Sequence, residues 1–140
     1  MSLLAGSTLL ILLAGADIPA ATVQAIDANY QGAVAEAFQA HCADCHGALP
    51  AGLAEPARST AGKKSRKAHK RLNMDDGFPF TSKWDMRKLM GKISKAVARN
   101  DMPPKSYMKK KGAAPSAAER QAIVTWARDA EALLKTPASP

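Results

Sequence analysis

Three side chains constrain this chain more than all the others: Cys42, Cys45 and His46, in the run Cys42-Ala43-Asp44-Cys45-His46. With two cysteines and three histidines in 140 residues, chance sets up this C-x-x-C-H order on the order of once in three thousand such chains. The pattern is the attachment signature of c-type haem. Two thiols three residues apart on one helical turn reach the two vinyl groups on one edge of a porphyrin. The imidazole that follows then points at the iron from the proximal side. Two other readings use the same residues. A redox-active C-x-x-C pair belongs at a helix start after a strand, and this one falls at the end of a predicted helix. A zinc half-site needs further ligands from a second cluster.

Covalent haem also suits the composition. Apolar residues make up 46% of the chain but aromatics only 5%, and large rings usually supply much of a small core's buried area. A small domain short of rings is commonly completed by a staple or a cofactor. Two cysteines exclude a disulfide-dense framework and a four-cysteine zinc site, and thioether bonds to haem would use both. No G-x-G-x-x-G or G-x-x-x-x-G-K-[ST] occurs, so there is no case for a dinucleotide or P-loop enzyme.

The apolar residues recur at helical spacing, and no strand pattern or internal repeat stands out. Asp27 or Asn29 caps a first predicted helix running to about Cys42, with Tyr30, Val34, Phe38 and Cys42 on one face. A second runs from near Ser82 to about Arg99 on the stripe Met86, Leu89, Met90, Ile93 and Val97. Pro103 and Pro104 stop it. A third opens at Ser116, whose spacing to Glu119 predicts a capping box. It buries Ile123, Trp126, Ala127, Ala130 and Leu134, and Pro137 ends it. The connection from Gly47 to Met74 is long for a small domain unless it wraps something. The class is all-α: three main helices whose long connections wrap one haem.

Leu3–Ala16 is a run of fourteen uncharged residues. A membrane span needs roughly 20, so the run reads as the apolar region of a secretory signal peptide. Small residues at Val23-Gln24-Ala25 and at Ala14-Gly15-Ala16 both fit cleavage. The first is preferred, giving a signal peptide over 1–25 and one domain over 26–140. No Lys or Arg precedes the run. The alternative is a buried core helix or an uncleaved anchor.

The sixth iron ligand separates electron transfer from ligand chemistry. Met74, Met86, Met90, Met102, Met108, His41 and His69 are the candidates. Met86 and Met90 lie on a core stripe. His41 abuts Cys42 on the proximal side, and His69 sits in a basic run and reads as solvated. Met102 follows a helix stop and precedes two prolines, which hold its backbone at little entropic cost. It is the favoured ligand, with Met74 next.

These residues resemble the small monohaem c-type cytochromes, and more closely the bacterial haem-binding-domain cytochromes. Those carry a Met-Pro-x-x-Tyr segment after a helix, matched here with one residue more by Met102-Pro103-Pro104-Lys105-Ser106-Tyr107, then a capped C-terminal helix containing a tryptophan, here Trp126. The resemblance spans roughly residues 30–135. It implies a cytochrome c-like fold with first and last helices crossing near the haem edge. It implies one haem c per chain, bound covalently by Cys42 and Cys45, with His46 proximal and Met102 distal, and a periplasmic location. The chain departs from many such cytochromes in lacking a Gly-Pro-x-Leu stretch after the motif. The carbonyl that orients His46 is therefore open at this point.

Lys plus Arg is 20 against 12 for Asp plus Glu, a formal charge of +8. Seven of the fourteen residues from Arg58 to Arg71 are basic, and Lys105, Lys109, Lys110 and Lys111 form a second cluster. Either set can simply solvate the protein or can steer redox partners with acidic docking surfaces. The second is expected to matter more, because it follows Met102 closely. No aromatic interleaves the Arg58–Arg71 run, so nucleic acid is not expected, while an anionic membrane surface stays open. The expected role is one-electron carrier and not enzyme. The alternatives are a haem subunit or electron port of a larger redox enzyme, and a haem-based sensor or peroxidase with a displaceable sixth ligand.

Overall fold

The computed structural model describes residues 18–48 and 66–136. The apolar run Leu3–Ala16, the basic residues Arg58, Lys63 and Lys64, and Pro137 lie outside them. Helices are α1 (Ala20–Tyr30), α2 (Ala33–His41), α3 (Ala43–His46), α4 (66–69), α5 (Met86–Ala98), α6 (Lys105–Lys111) and α7 (Ala117–Leu133). No strand occurs among the described residues, and the all-α class holds. The one sheet-like contact is an antiparallel bridge between Asn73 and Thr81. No helix among them is long and apolar enough to cross a membrane.

The first expected helix is longer and is broken. It starts at Ala20, so the expected cut after Ala25 falls inside α1. It breaks at Gln31-Gly32 because Gly32 has φ 78°, which side chains with a Cβ rarely adopt. The apolar face survives the break: Tyr30, Val34 and Phe38 are all buried. The second helix starts at Met86 and not at Ser82. Asp85 caps it by accepting from the Lys88 amide at 2.8 Å. Ser82 is otherwise engaged, donating to the Arg71 carbonyl at 2.8 Å and accepting from the Trp84 amide at 3.1 Å. That pins the end of the long connection to the start of α5. The third helix has both halves of the capping box, with Ser116 and Glu119 bonded reciprocally.

Helix α7 is the spine. It packs along α5 and also meets α1 and α2. Leu89, Met90, Ile93 and Val97 of α5 face Ile123, Ala127 and Ala130 of α7 in one core. Where the backbones run close, Gly91 leaves room for Glu131, whose carboxylate would lie 3.2 Å from any added Cβ. The few aromatics are concentrated. Five of the chain's rings, Tyr30, Phe38, Phe78, Phe80 and Trp126, form one cluster with centroids 5.2–6.4 Å apart. The indole N–H of Trp126 donates to the Ile26 carbonyl at 3.1 Å and ties α7 to α1. The core is thus built by few rings placed together.

Candidate functional site

Cys42 closes α2, its amide bonded to the Phe38 carbonyl at 2.8 Å, and its own carbonyl starts α3 by accepting from His46 at 3.0 Å. One tight turn therefore carries Cys42, Cys45 and His46. Gly47 must follow it, because a Cβ there would stand 2.8 Å from the Ala43 carbonyl oxygen.

The end of the long connection clamps this turn. The Met74 amide donates to the His46 carbonyl at 2.9 Å. The His69 ring nitrogen Nε2 lies 2.9 Å from the Gly47 carbonyl and 3.7 Å from Asp75. His69 is thus not the solvated residue its basic surroundings implied. The carbonyl left open by the sequence is Leu72, which His46 Nδ1 approaches to 2.8 Å. Donation from Nδ1–H leaves the Nε2 lone pair free for a metal and fixes the ring's orientation. Burial holds the His46 imidazole below its usual pKa, which keeps it neutral and able to ligate.

His46 lines a cleft with two lobes of about 240 and 410 Å³ that share Cys42, His46, Arg71 and Met102. The smaller lobe adds Cys45, His41, Pro103, Pro104 and Tyr107. The larger adds Phe38, Trp84, Leu89, Ile93 and Val97, with Lys83 and Lys92 beside the Trp84 ring at 4.8 and 5.5 Å. Such a cleft, apolar inside with cations at hand, has the size and character of a cofactor pocket. Its lining suits an apolar group bearing carboxylates, with Cys45 at one end and Cys42 where the lobes meet.

Of the methionines weighed, Met102 alone lines this cleft. Its amide and that of Asp101 both turn back to the Ala96 carbonyl, at 3.3 and 2.9 Å, which fixes the chain just past α5. Met74 and Met90 are core residues, and Met86 packs against the core. Met108 lies 3.9 Å from the Arg120 guanidinium. His41 lines the cysteine end and lies 3.3 Å from Glu119.

The two thiols are not equivalent, Cys42 being partly buried and Cys45 exposed. Burial, with Cys45 adding, pushes the Cys42 thiol up to about 12, whereas a nucleophilic C-x-x-C thiol needs a lowered value. Among the described residues, no cluster of three or more His, Cys, Asp or Glu side chains could hold a metal ion.

One participant is invisible in the sequence. Asp44, a spacer of the motif, accepts from Tyr107 Oη–H at 2.6 Å and from Lys111 Nζ at 2.7 Å. These hydrogen bonds, Lys111 first, hold the Asp44 carboxyl below its usual range. No local pattern marks a contact across more than sixty residues of sequence. The helix that makes it, α6, was also unforeseen, since its residues Lys105–Lys111 carry no apolar stripe.

The sequence matches the family described as a haem-binding domain over residues 15–129. No curated protein and no solved structure matches the chain.

Proposed function

The chain belongs to the haem-binding domain family, and from that premise we propose that it is an exported one-electron carrier with a single covalent haem c. In this reading Cys42 and Cys45 form the thioethers, His46 is the proximal ligand and Met102 the distal one. The observation that carries it is the convergence of these four residues on one apolar cleft, with the Leu72 carbonyl orienting His46. When bound, haem supplies a one-electron iron couple. The protein's own part would be to hold the iron through His46 and Met102 and to exclude water with the α5 stripe and Trp84. A thioether ligand favours the ferrous state and raises the potential. Lys83 and Lys92 would meet the carboxylates of the cofactor.

Export rests on the apolar run Leu3–Ala16, with the periplasm as destination. Cleavage after Ala16 suits the fold better than cleavage after Ala25, which would cut α1 directly before the buried Ile26. The family match also begins ahead of α1. Docking to acidic redox partners would use Lys105, Lys109 and Lys110, exposed on the helix that follows the cleft-lining Pro104, together with Lys67 and Arg71 at the cleft. Lys111 is not a free steering charge, since Asp44 holds it.

Acid–acetone extraction of the periplasmic protein tests the attachment. Pigment should stay with the polypeptide and be lost from Cys42→Ala. The ferric wild-type protein should show the long-wavelength methionine–iron charge-transfer band, and Met102→Ala should lack it and have a lower potential. Extractable haem would defeat the covalent reading, and a band that survives Met102→Ala would defeat the ligand assignment.

A further inference from the structure

Helix α6 is weakly anchored by its own residues. None of Lys105–Lys111 is buried, and no other helix's backbone lies close to it among the described residues. It nevertheless continues directly from Met102-Pro103-Pro104, so with the Ala96 carbonyl holding the Met102 amide from one side, α6 holds the segment from the other. Among the described residues, four side-chain contacts hold it. Tyr107 Oη–H donates to Asp44 at 2.6 Å, and Lys111 Nζ donates to the same oxygen at 2.7 Å. Lys111 also reaches the Ala40 carbonyl at 3.5 Å, and Met108 lies 3.9 Å from Arg120. The two short contacts converge on one carboxylate, and that carboxylate sits between the two cysteines. Lys111 further lies over the Tyr107 ring at 5.6 Å, so the two donors brace each other. Tyr107 lines the same lobe as Cys42, Cys45 and Met102.

We propose that Asp44, Tyr107 and Lys111 form a latch that holds α6 down and thereby keeps Met102 at the sixth position. Asp44 and Tyr107 are then positioning residues for the distal ligand. The motif turn that binds the haem edge also fixes the limb that supplies the far ligand. Releasing α6 opens the sixth position to small exogenous ligands, while the thioethers and His46 stay in place. The inference rests on the assignment of Met102 as ligand, and its test separates the two.

The test compares ferric holoprotein of the wild type with Tyr107→Phe, Asp44→Asn, Asp44→Glu and Met102→Ala. It reads the methionine–iron band and titrates imidazole. Tyr107→Phe lies outside the attachment motif, so it reports even if Asp44→Asn impairs haem loading. Met102→Ala should lack the band and bind imidazole most tightly. Tyr107→Phe and Asp44→Asn should keep covalent haem and bind imidazole roughly tenfold more tightly than wild type, as expected for losing a hydrogen bond to a charged group. Asp44→Glu, which keeps the carboxylate, should fall between Asp44→Asn and wild type. A merely structural role would shift unfolding midpoints and leave imidazole affinity alone. If both single variants titrate like wild type while Met102→Ala has lost the band, the latch is wrong and the ligand assignment stands. If Met102→Ala keeps the band, the ligand assignment fails and takes the latch with it.

Discussion

Replacing Trp126 by phenylalanine should weaken the protein measurably while leaving the haem site intact. Trp126 is 4% exposed, and its indole N–H is bonded to Ile26 at 3.1 Å. Its ring lies 5.2 Å from Tyr30 and 5.6 Å from Phe38. Phenylalanine removes that hydrogen bond, worth about 1 kcal/mol, the low end applying because a carbonyl inside α1 also faces its own helix's amide. The smaller ring gives up packing worth roughly another 1 kcal/mol. Together these cost roughly 2 kcal/mol, against about 3–5 kcal/mol for Trp126→Ala, which empties the centre of the ring cluster. For a domain of this length, roughly 3–5 °C per kcal/mol translates the phenylalanine variant into a loss of about 6–10 °C. The assay is thermal and urea unfolding of the holoprotein followed by far-ultraviolet circular dichroism, with the visible spectrum recorded alongside. The spectrum should not change, because Trp126 does not line the cleft. A phenylalanine variant within about 0.5 kcal/mol of wild type would refute the reasoning. So would equal losses for phenylalanine and alanine, since the ring cluster would then contribute nothing beyond the hydrogen bond.

Three further outcomes are expected. Replacing Lys105, Lys109 and Lys110 with glutamine, sparing Lys111, should slow electron exchange with an acidic partner several-fold at low salt. The effect should fade as the Debye length shrinks to about 8 Å, and a rate unchanged at low salt would move the docking face elsewhere. In protein expressed without haem, a maleimide at neutral pH should label the exposed Cys45 well before Cys42, whose thiol burial raises to about 12, and denaturation should equalise the two. Equal labelling without denaturant would mean that the cysteine turn is not preformed. Asp44 and Glu119 both titrate below their ordinary ranges in the fold, held there by the Lys111 hydrogen bond and the Ser116 amide respectively. A depressed carboxyl contributes stability that is complete above its unfolded pKa and lost as pH falls through its folded one. The unfolding midpoint should therefore drop below about pH 4, and Asp44→Asn should lessen that drop; a variant whose acid curve parallels wild type would discount the Asp44 share.

The sequence alone determined the features that rest on short-range order. The C-x-x-C-H run is legible because thiol and imidazole spacing on one turn is a local property. Helices α5 and α7 follow from apolar spacing, from the capping box at Ser116 and Glu119, and from Pro103 and Pro104, while the first expected helix kept its apolar face but not its continuity. Met102 stood out because two prolines stiffen it. Tertiary structure decided whatever depends on which distant groups meet. Leu72 offers its carbonyl to His46 because the 66–74 segment folds back, and a backbone carbonyl carries no sequence mark. His69 leaves its basic surroundings for the Gly47 carbonyl for the same reason. Helix α1 begins inside the stretch read as a signal peptide, with Ile26 buried and its carbonyl accepting from Trp126, a hundred residues away. The Asp44 latch needs a carboxylate, a phenol and an ammonium brought together from opposite ends of the fold. Local patterns state what each segment prefers to be, and only the packed chain decides which polar groups are left facing one another and must pair.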